Sequence, residues 1–237
     1  MNMSHVKRLA APPTWHLERK KHKWAIRSAP GPHPFRRSVP LGAVIRDQLH
    51  LCDTLSEARR IIGSRKVLVD GRHPRDYKFP VGVMDVVSFP DLKENYRMLL
   101  DTHGRLKLVR LKAGEETWKL VRIENKTTVR GGKTQLNLHD GRNILLDSNQ
   151  YKTGDVLKIS VPEQKIIESY PFQPGSVALM LGGAHAGTTA RIKEIEVKRN
   201  PAPNVIIMDE GFGTTKPNVF VVGKDSAVIS LYQEVIE

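Results

Sequence analysis

Basic side chains at close spacing carry the first chemical signal. Arg59, Arg60, Arg65, Lys66 and Arg72 lie in one short interval, and no acidic residue stands between Arg59 and Arg65. Guanidinium and ammonium groups at this density neutralise phosphates, and each contact releases a condensed counterion. A second set precedes them: Lys7, Arg8, Arg19, Lys20, Lys21, Lys23, Arg27, Arg36 and Arg37 face only Glu18 in residues 1–40. Trp15, Trp24 and Phe35 are interleaved with these cations, and aromatic faces stack on unpaired bases. The chemistry indicated is nucleic-acid binding. The alternative is that the charges are only solvated and the aromatic rings pin the segment to its own body.

A cationic face needs rigid support, and residues 53–89 have the pattern for it. Thr54 can accept from the N–H three residues on while Glu57 reaches back, the reciprocal box that opens a helix. Leu55, Ala58, Ile61 and Ile62 then share one stripe, which turns Arg59 and Arg60 elsewhere. Gly63 follows the last apolar residue, where a left-handed stop is expected. Residues 66–69 read as a short strand, Asp70-Gly71 as a tight turn and 81–89 as a second, largely apolar strand. Upstream, 41–51 reads as another helix with Ile45 and Leu49 on one face and Arg46 on another.

A length of 237 residues admits one large domain or two to three small ones. The hydrophobic fraction of 39% and charged fraction of 27% suit folded domains. The net charge of +13 and pI of 9.9 point to polyanionic partners. Residues 1–40 hold most of that excess, together with five prolines between Pro12 and Pro34 and few aliphatic residues. Such a segment is expected to form an extended or mobile arm that orders on RNA, so that its deletion leaves a folded body. No apolar run is long enough to span a bilayer, and neither a membrane partner nor secretion is expected.

Beyond residue 90 the text changes to short alternating runs at 96–100, 106–111, 118–123, 134–138, 143–146 and 156–159. Gly-containing turns separate them, which predicts a central antiparallel β barrel or sandwich over about 91–167. After the boundary at 170–175, strands are expected at 177–181, 190–197 and 205–208, with a closing hairpin of 218–222 and 227–231. The fold class is thus α+β and multidomain: a 1–40 basic arm, a 41–90 helical module, a 91–170 all-β domain and a 171–237 β domain.

Other chemistries find little footing. Cys52 is the sole cysteine, which rules out an internal disulfide or thiolate metal cluster and suits a small filler. The nine histidines occur without i+4 partners, so no metal is expected. Gly182-Gly183…Gly187 is followed by period-two alternation rather than a helix, and Gly132-Lys133-Thr134 lacks the glycine a P-loop requires. No nucleophile elbow is present. The expectation is no enzyme, no cofactor and no small-molecule substrate.

The Leu55-x-x-Ala58-Arg59-Arg60-x-Ile62 helix and the Arg65-x-Val67-x-Val69-Asp70-Gly71 strand and turn resemble the S-four RNA-binding module. The strand, loop and strand of 174–197 resemble the KOW motif, an SH3-like barrel hairpin. That resemblance implies that Gly182, Gly183 and Gly187 allow close approach to RNA, with His185 and Arg191 as further contacts. Thr188 departs from the usual residue at its position. Taken in order, these features are similar, end to end, to the S-four-e family of the small ribosomal subunit, in its archaeal form. The resemblance implies a structural, non-enzymatic protein that binds small-subunit ribosomal RNA beside neighbouring ribosomal proteins, in the cytoplasm within the ribosome. The competing classes are an RNA-modifying enzyme and an assembly or transcription elongation factor.

Overall fold

The computed structural model describes residues 5–230. The chain forms two compact units: one runs to Leu99 and adds Arg105–Lys119, and the other comprises Leu100–Gly104 and the chain from Leu120 onward. Among the described residues no helix is long and apolar enough to cross a membrane.

In the first unit the leader is folded, which corrects the expectation of an extended arm. Strand β1 (His5–Lys7) pairs antiparallel with β2 (Trp24–Ile26). Trp15 is 1% exposed, and Leu106 N–H donates to the Thr14 carbonyl at 2.7 Å beside it. Arg19 donates to the carbonyls of Ala11 and Pro12 at 2.9 and 2.8 Å, and the Pro12 carbonyl also accepts the Trp15 N–H at 3.1 Å. The segment indeed lacks a core of its own, but Trp15, Ala25, Ile26 and Val39 are buried within this unit instead. Burying one Trp and losing it to Ala costs about 3–5 kcal/mol. Deletion of 1–40 would therefore damage the body rather than leave it intact.

Strand β3 (Ser38–Pro40) pairs with β5 (Pro80–Gly82) and leads into α1 (Leu41–Ala43). The helix expected over 41–51 is shorter and changes type, with Val44–Gln48 forming a π-helical turn. Leu49 N–H reaches back five residues to the Val44 carbonyl, and Gln48 Nε2 donates to the Leu106 carbonyl at 3.0 Å. His50, at φ 53°, ends the run.

Helix α2 (Leu55–Gly63) starts as its sequence reads. Glu57 N–H donates to Thr54 Oγ1 at 3.3 Å, and the Glu57 carboxylate accepts from the backbone N–H of Asp53 and Thr54. The stop differs from expectation. Gly63 lies inside the helix, and the left-handed residue is Arg65 at φ 58°. Arg65 N–H donates to Ile62 O and Lys66 N–H to Ile61 O, the paired bonds that close a helix end with a left-handed residue between them.

Strand β4 (Leu68–Val69) is shorter than expected, and Asp70 and Gly71, at φ 49° and 70°, make the tight turn after it. The apolar run at 81–89 is broken into β5 and β6 (Val86–Phe89), because the Asp85 carboxylate accepts the Gly82 N–H at 2.9 Å and folds the chain inward. Strand β6 pairs with β4 on one side and with β7 (Glu94–Leu100) on the other, and β8 (Leu106–Arg110) completes a four-stranded sheet. Two strands expected in the central β domain are thus paired with the helical module, since the short Pro90–Leu92 link makes the β6–β7 hairpin the nearest pairing.

A buried charge cluster ties this unit together. Lys119 Nζ is 2.8 Å from Asp70 Oδ2 and 2.7 Å from Asp85 Oδ1, and His33 Nε2 is 2.9 Å from Asp85 Oδ2. Gly82 permits this, because a Cβ there would lie 2.3 Å from the His33 ring. Burial alone would raise the Asp85 pKa, but His33 and Lys119 overcome it and hold the carboxyl well below its ordinary range. Arg97 is also buried; it stacks on Trp118 at 4.5 Å, and burial lowers its pKa to about 10.

The second unit contains β9 (Trp118–Thr128, from Leu120 on), β10 (Thr134–Leu138), β11 (Asn143–Leu146), β12 (Val156–Ser160) and β13 (Ile166–Tyr170). Their order is β11-β10-β9-β12-β13, around Val121, Ile123, Leu136, Leu138, Leu157 and Ile159. This is one five-stranded sheet with β11 and β13 at its ends, where a barrel or sandwich is expected from the sequence. A further sheet runs β17-β16-β15-β14-β18, from β14 (Val177–Met180), β15 (Thr189–Glu196), β16 (Val205–Met208), β17 (Gly213–Thr215) and β18 (Val219–Gly223). The closing hairpin expected with 227–231 is not formed over residues 227–230, and residue 231 lies outside the described residues. β18 pairs with β14 instead, and a backbone bond, Val228 N–H to the Val222 carbonyl at 3.0 Å, joins the segment after it to β18.

Candidate nucleic-acid interface

The capping box and the buried Ala58 and Ile62 fix the rotation of α2, so Arg59 and Arg60 project into solvent. Arg65, Lys66 and Arg72 are exposed as well. Arg59 is held in place: its guanidinium lies 4.2 Å over the Tyr77 ring and its Nη2 donates to the Tyr77 hydroxyl at 2.8 Å. A guanidinium already fixed by stacking loses less freedom when it meets a phosphate. Lys78, 5.6 Å from the same ring, adds charge beside it. Lys66 reaches Asp91 at 3.2 Å, an exposed pair whose worth is small and which a phosphate can replace.

Arg65 occupies a position where the backbone favours glycine. A non-glycine residue at positive φ costs about 1 kcal/mol or more, and such strain gathers at functional positions. Arg65→Gly should therefore raise fold stability by about 1 kcal/mol while weakening RNA binding about fivefold at ~0.15 M salt, with the salt slope falling by about one. Thermal denaturation and filter binding measure the two effects separately. A variant that loses stability would remove the strain account.

In the leader, Lys7, Lys20, Lys21, Lys23, Arg27, Arg36 and Arg37 are exposed. Lys7 stands opposite Trp24 in the β1–β2 ladder, and Trp24 is 47% exposed. The His5 ring meets Trp24 edge to face at 4.5 Å and Lys23 Nζ lies 5.3 Å from the indole, so a fixed aromatic face sits among lysines. Lys21 also pairs with Glu18 at 3.0 Å. Three candidates have other work. Trp15 is in the core and stacks edge to face on Phe35 at 5.3 Å, the pinning alternative. Arg8 is 3% exposed, donating to the Glu18 carbonyl and Asp47. Arg19 is spent on backbone carbonyls.

In the second unit the loop of Gly182, Gly183, His185 and Gly187 joins β14 to β15. Gly187, at φ 82°, is required by packing, because a Cβ there would lie 1.9 Å from the Asp101 carbonyl oxygen. His185 is exposed and stacked on Phe212 at 4.0 Å and 17°. Arg191 is exposed and donates to the Asp225 carbonyl at 2.7 Å.

Sequence reasoning missed Tyr77 and Phe212. The signal available for Tyr77 was an aromatic residue set between Arg75 and Lys78; for Phe212, which pairs with His185 across loops, there was none. No group of three or more metal-ligating side chains occurs among the described residues.

Comparison with known proteins yields three matching family descriptions. The RS4NT domain matches residues 3–36, the S4 domain residues 41–87, and ribosomal family S4e residues 92–166. Small ribosomal subunit protein eS4 of Methanothermobacter thermautotrophicus is 48% identical over 231 residues, covering 96% of this chain and 95% of the relative. The protein of the same name from Methanocaldococcus jannaschii is 47% identical over 239 residues, covering 96% and 97%. The crystal structure of 30S ribosomal protein S4e from Thermoplasma acidophilum is similar with a TM-score of 0.71 and 38% identity, covering 79% of this chain and 96% of that one.

Proposed function

We infer the function of this chain from the family to which it belongs, ribosomal family S4e. It is a structural constituent of the small ribosomal subunit, it binds RNA through its S4 domain, and it serves translation. The observation that carries the molecular reading is the cationic end of α2, where Arg59 is held by Tyr77 and Arg65 is kept at a strained backbone position.

The partner is small-subunit ribosomal RNA, bordered by neighbouring ribosomal proteins, in the cytoplasm within the ribosome. Arg59, Arg60, Arg65, Lys66 and Arg72 hold backbone phosphates, and Lys7, Lys20, Lys21, Lys23, Arg27, Arg36 and Arg37 extend the contact. Trp24 receives an unpaired base. The role is structural rather than enzymatic. Residues 41–90 serve as the S-four-type module with the 1–40 leader folded against it. Residues 91–170 are a β region that lends β7 and β8 to the module's sheet. Residues 171–237 are a KOW-type, SH3-like unit whose glycine loop, with His185 and Arg191, makes a second contact; the β14–loop–β15 hairpin supports this reading.

Sucrose-gradient fractionation tests the assignment. The chain is expected in mature small subunits at one copy each; recovery only with precursors or with polymerase would assign it instead to assembly or transcription.

A further inference from the structure

We propose that a cleft in the second unit, formed beside β9 by the 153–154 turn, Phe172, the loop after β15 and Lys216, binds one unpaired nucleotide of the RNA. This rests on the RNA-binding reading and names a ligand for a cleft whose lining residues are not among the contacts assigned above. The cleft holds about 390 Å³, within the range of about 300–1,000 Å³ typical of small-ligand sites.

Three cations, Arg122, Lys198 and Lys216, line it against one carboxylate, Glu124. Arg122 is paired with Glu124 and donates to the carbonyls of Pro217 and Val219. Lys216 Nζ donates to the Thr153 carbonyl at 3.1 Å and lies 5.5 Å from the Phe172 ring, so ammonium and aromatic face stand together. Lys198 is exposed and adds a second ammonium. Asn200 and Asn204 also line the space, and their carboxamide oxygens already accept from Ala202 and Lys198 N–H groups. Their carboxamide NH2 groups are additional donors. The surplus of cations and donors beside the Phe172 ring suits a ligand with acceptors and a flat face, as a phosphate with a carbonyl-bearing base has.

The test is a titration of the full chain with tetrauridylate, followed through backbone amide signals. Saturable shifts at Gly154, Lys198 and Asn200 are expected. Phe172→Leu should weaken binding about tenfold, the loss of one base stack. Lys198→Ala, an exposed change that leaves packing alone, should weaken it about fourfold at ~0.15 M salt. Equal shifts with inorganic phosphate or tetraglutamate would reduce the cleft to an anion site and overturn the proposal, as would unmoved amides. If those amides stay still while ribosomal RNA binds normally, only the cleft is lost; if ribosomal RNA fails to bind, the parent reading is lost too.

Discussion

Replacing Arg59, Arg60, Arg65 and Lys66 together by glutamine is expected to weaken binding to small-subunit RNA by between two and three orders of magnitude at ~0.15 M salt. Each phosphate contact contributes a slope of about 0.7–0.9 to the dependence of affinity on salt, so four lost contacts lower that slope by roughly three. Glutamine keeps the helix propensity and most of the stem, which leaves α2 and its capping box undisturbed. All four side chains are exposed, so the fold should stay within about 1 kcal/mol of the parent. Filter binding across a salt series measures both quantities, and an unchanged slope would mean that these cations are only solvated.

Lys119→Met is expected to cost about 3–5 kcal/mol, because it strands Asp70 and Asp85 in a buried site without their shared ammonium. That is a large part of the total stability of about 5–15 kcal/mol usual for a domain, and denaturant titration reads it directly. Adding Asp70→Asn should recover part of the loss, since one stranded carboxylate is gone. The pH dependence has a definite sign. The Asp85 carboxyl is held below its usual range, so its contribution is present in full above the unfolded value of 3.8 and is lost as pH falls through the lower folded value. The parent should therefore weaken on acidification below about pH 4, and Lys119→Met should show a flatter acid limb.

Local signals in this chain were legible and long-range ones were not. Thr54 and Glu57 specify the start of α2 because the capping box is closed within four residues, and Asp70-Gly71 specifies its own turn. The end of α2 was misplaced by two residues, since Gly63 is a plausible stop and only the backbone bonds of Arg65 and Lys66 show where the left-handed residue falls. The leader was misjudged for a different reason. Its proline content argues against a private core, but burial of Trp15 and the approach of His33 to Asp85 depend on partners far along the chain. Lys119 gave no sign in the sequence that it is buried, because a lysine on a strand ordinarily points to water. The exposed cations were readable from charge spacing alone; the stacking of Arg59 on Tyr77, at a separation of 18 residues, was not.

The central claim is that many exposed cations of this chain hold RNA phosphates at once, and the salt dependence of its binding to small-subunit ribosomal RNA tests that most directly. With about eight contacts, affinity should fall as roughly the seventh power of salt concentration. A slope near two, meaning about two or three contacts, would contradict the account.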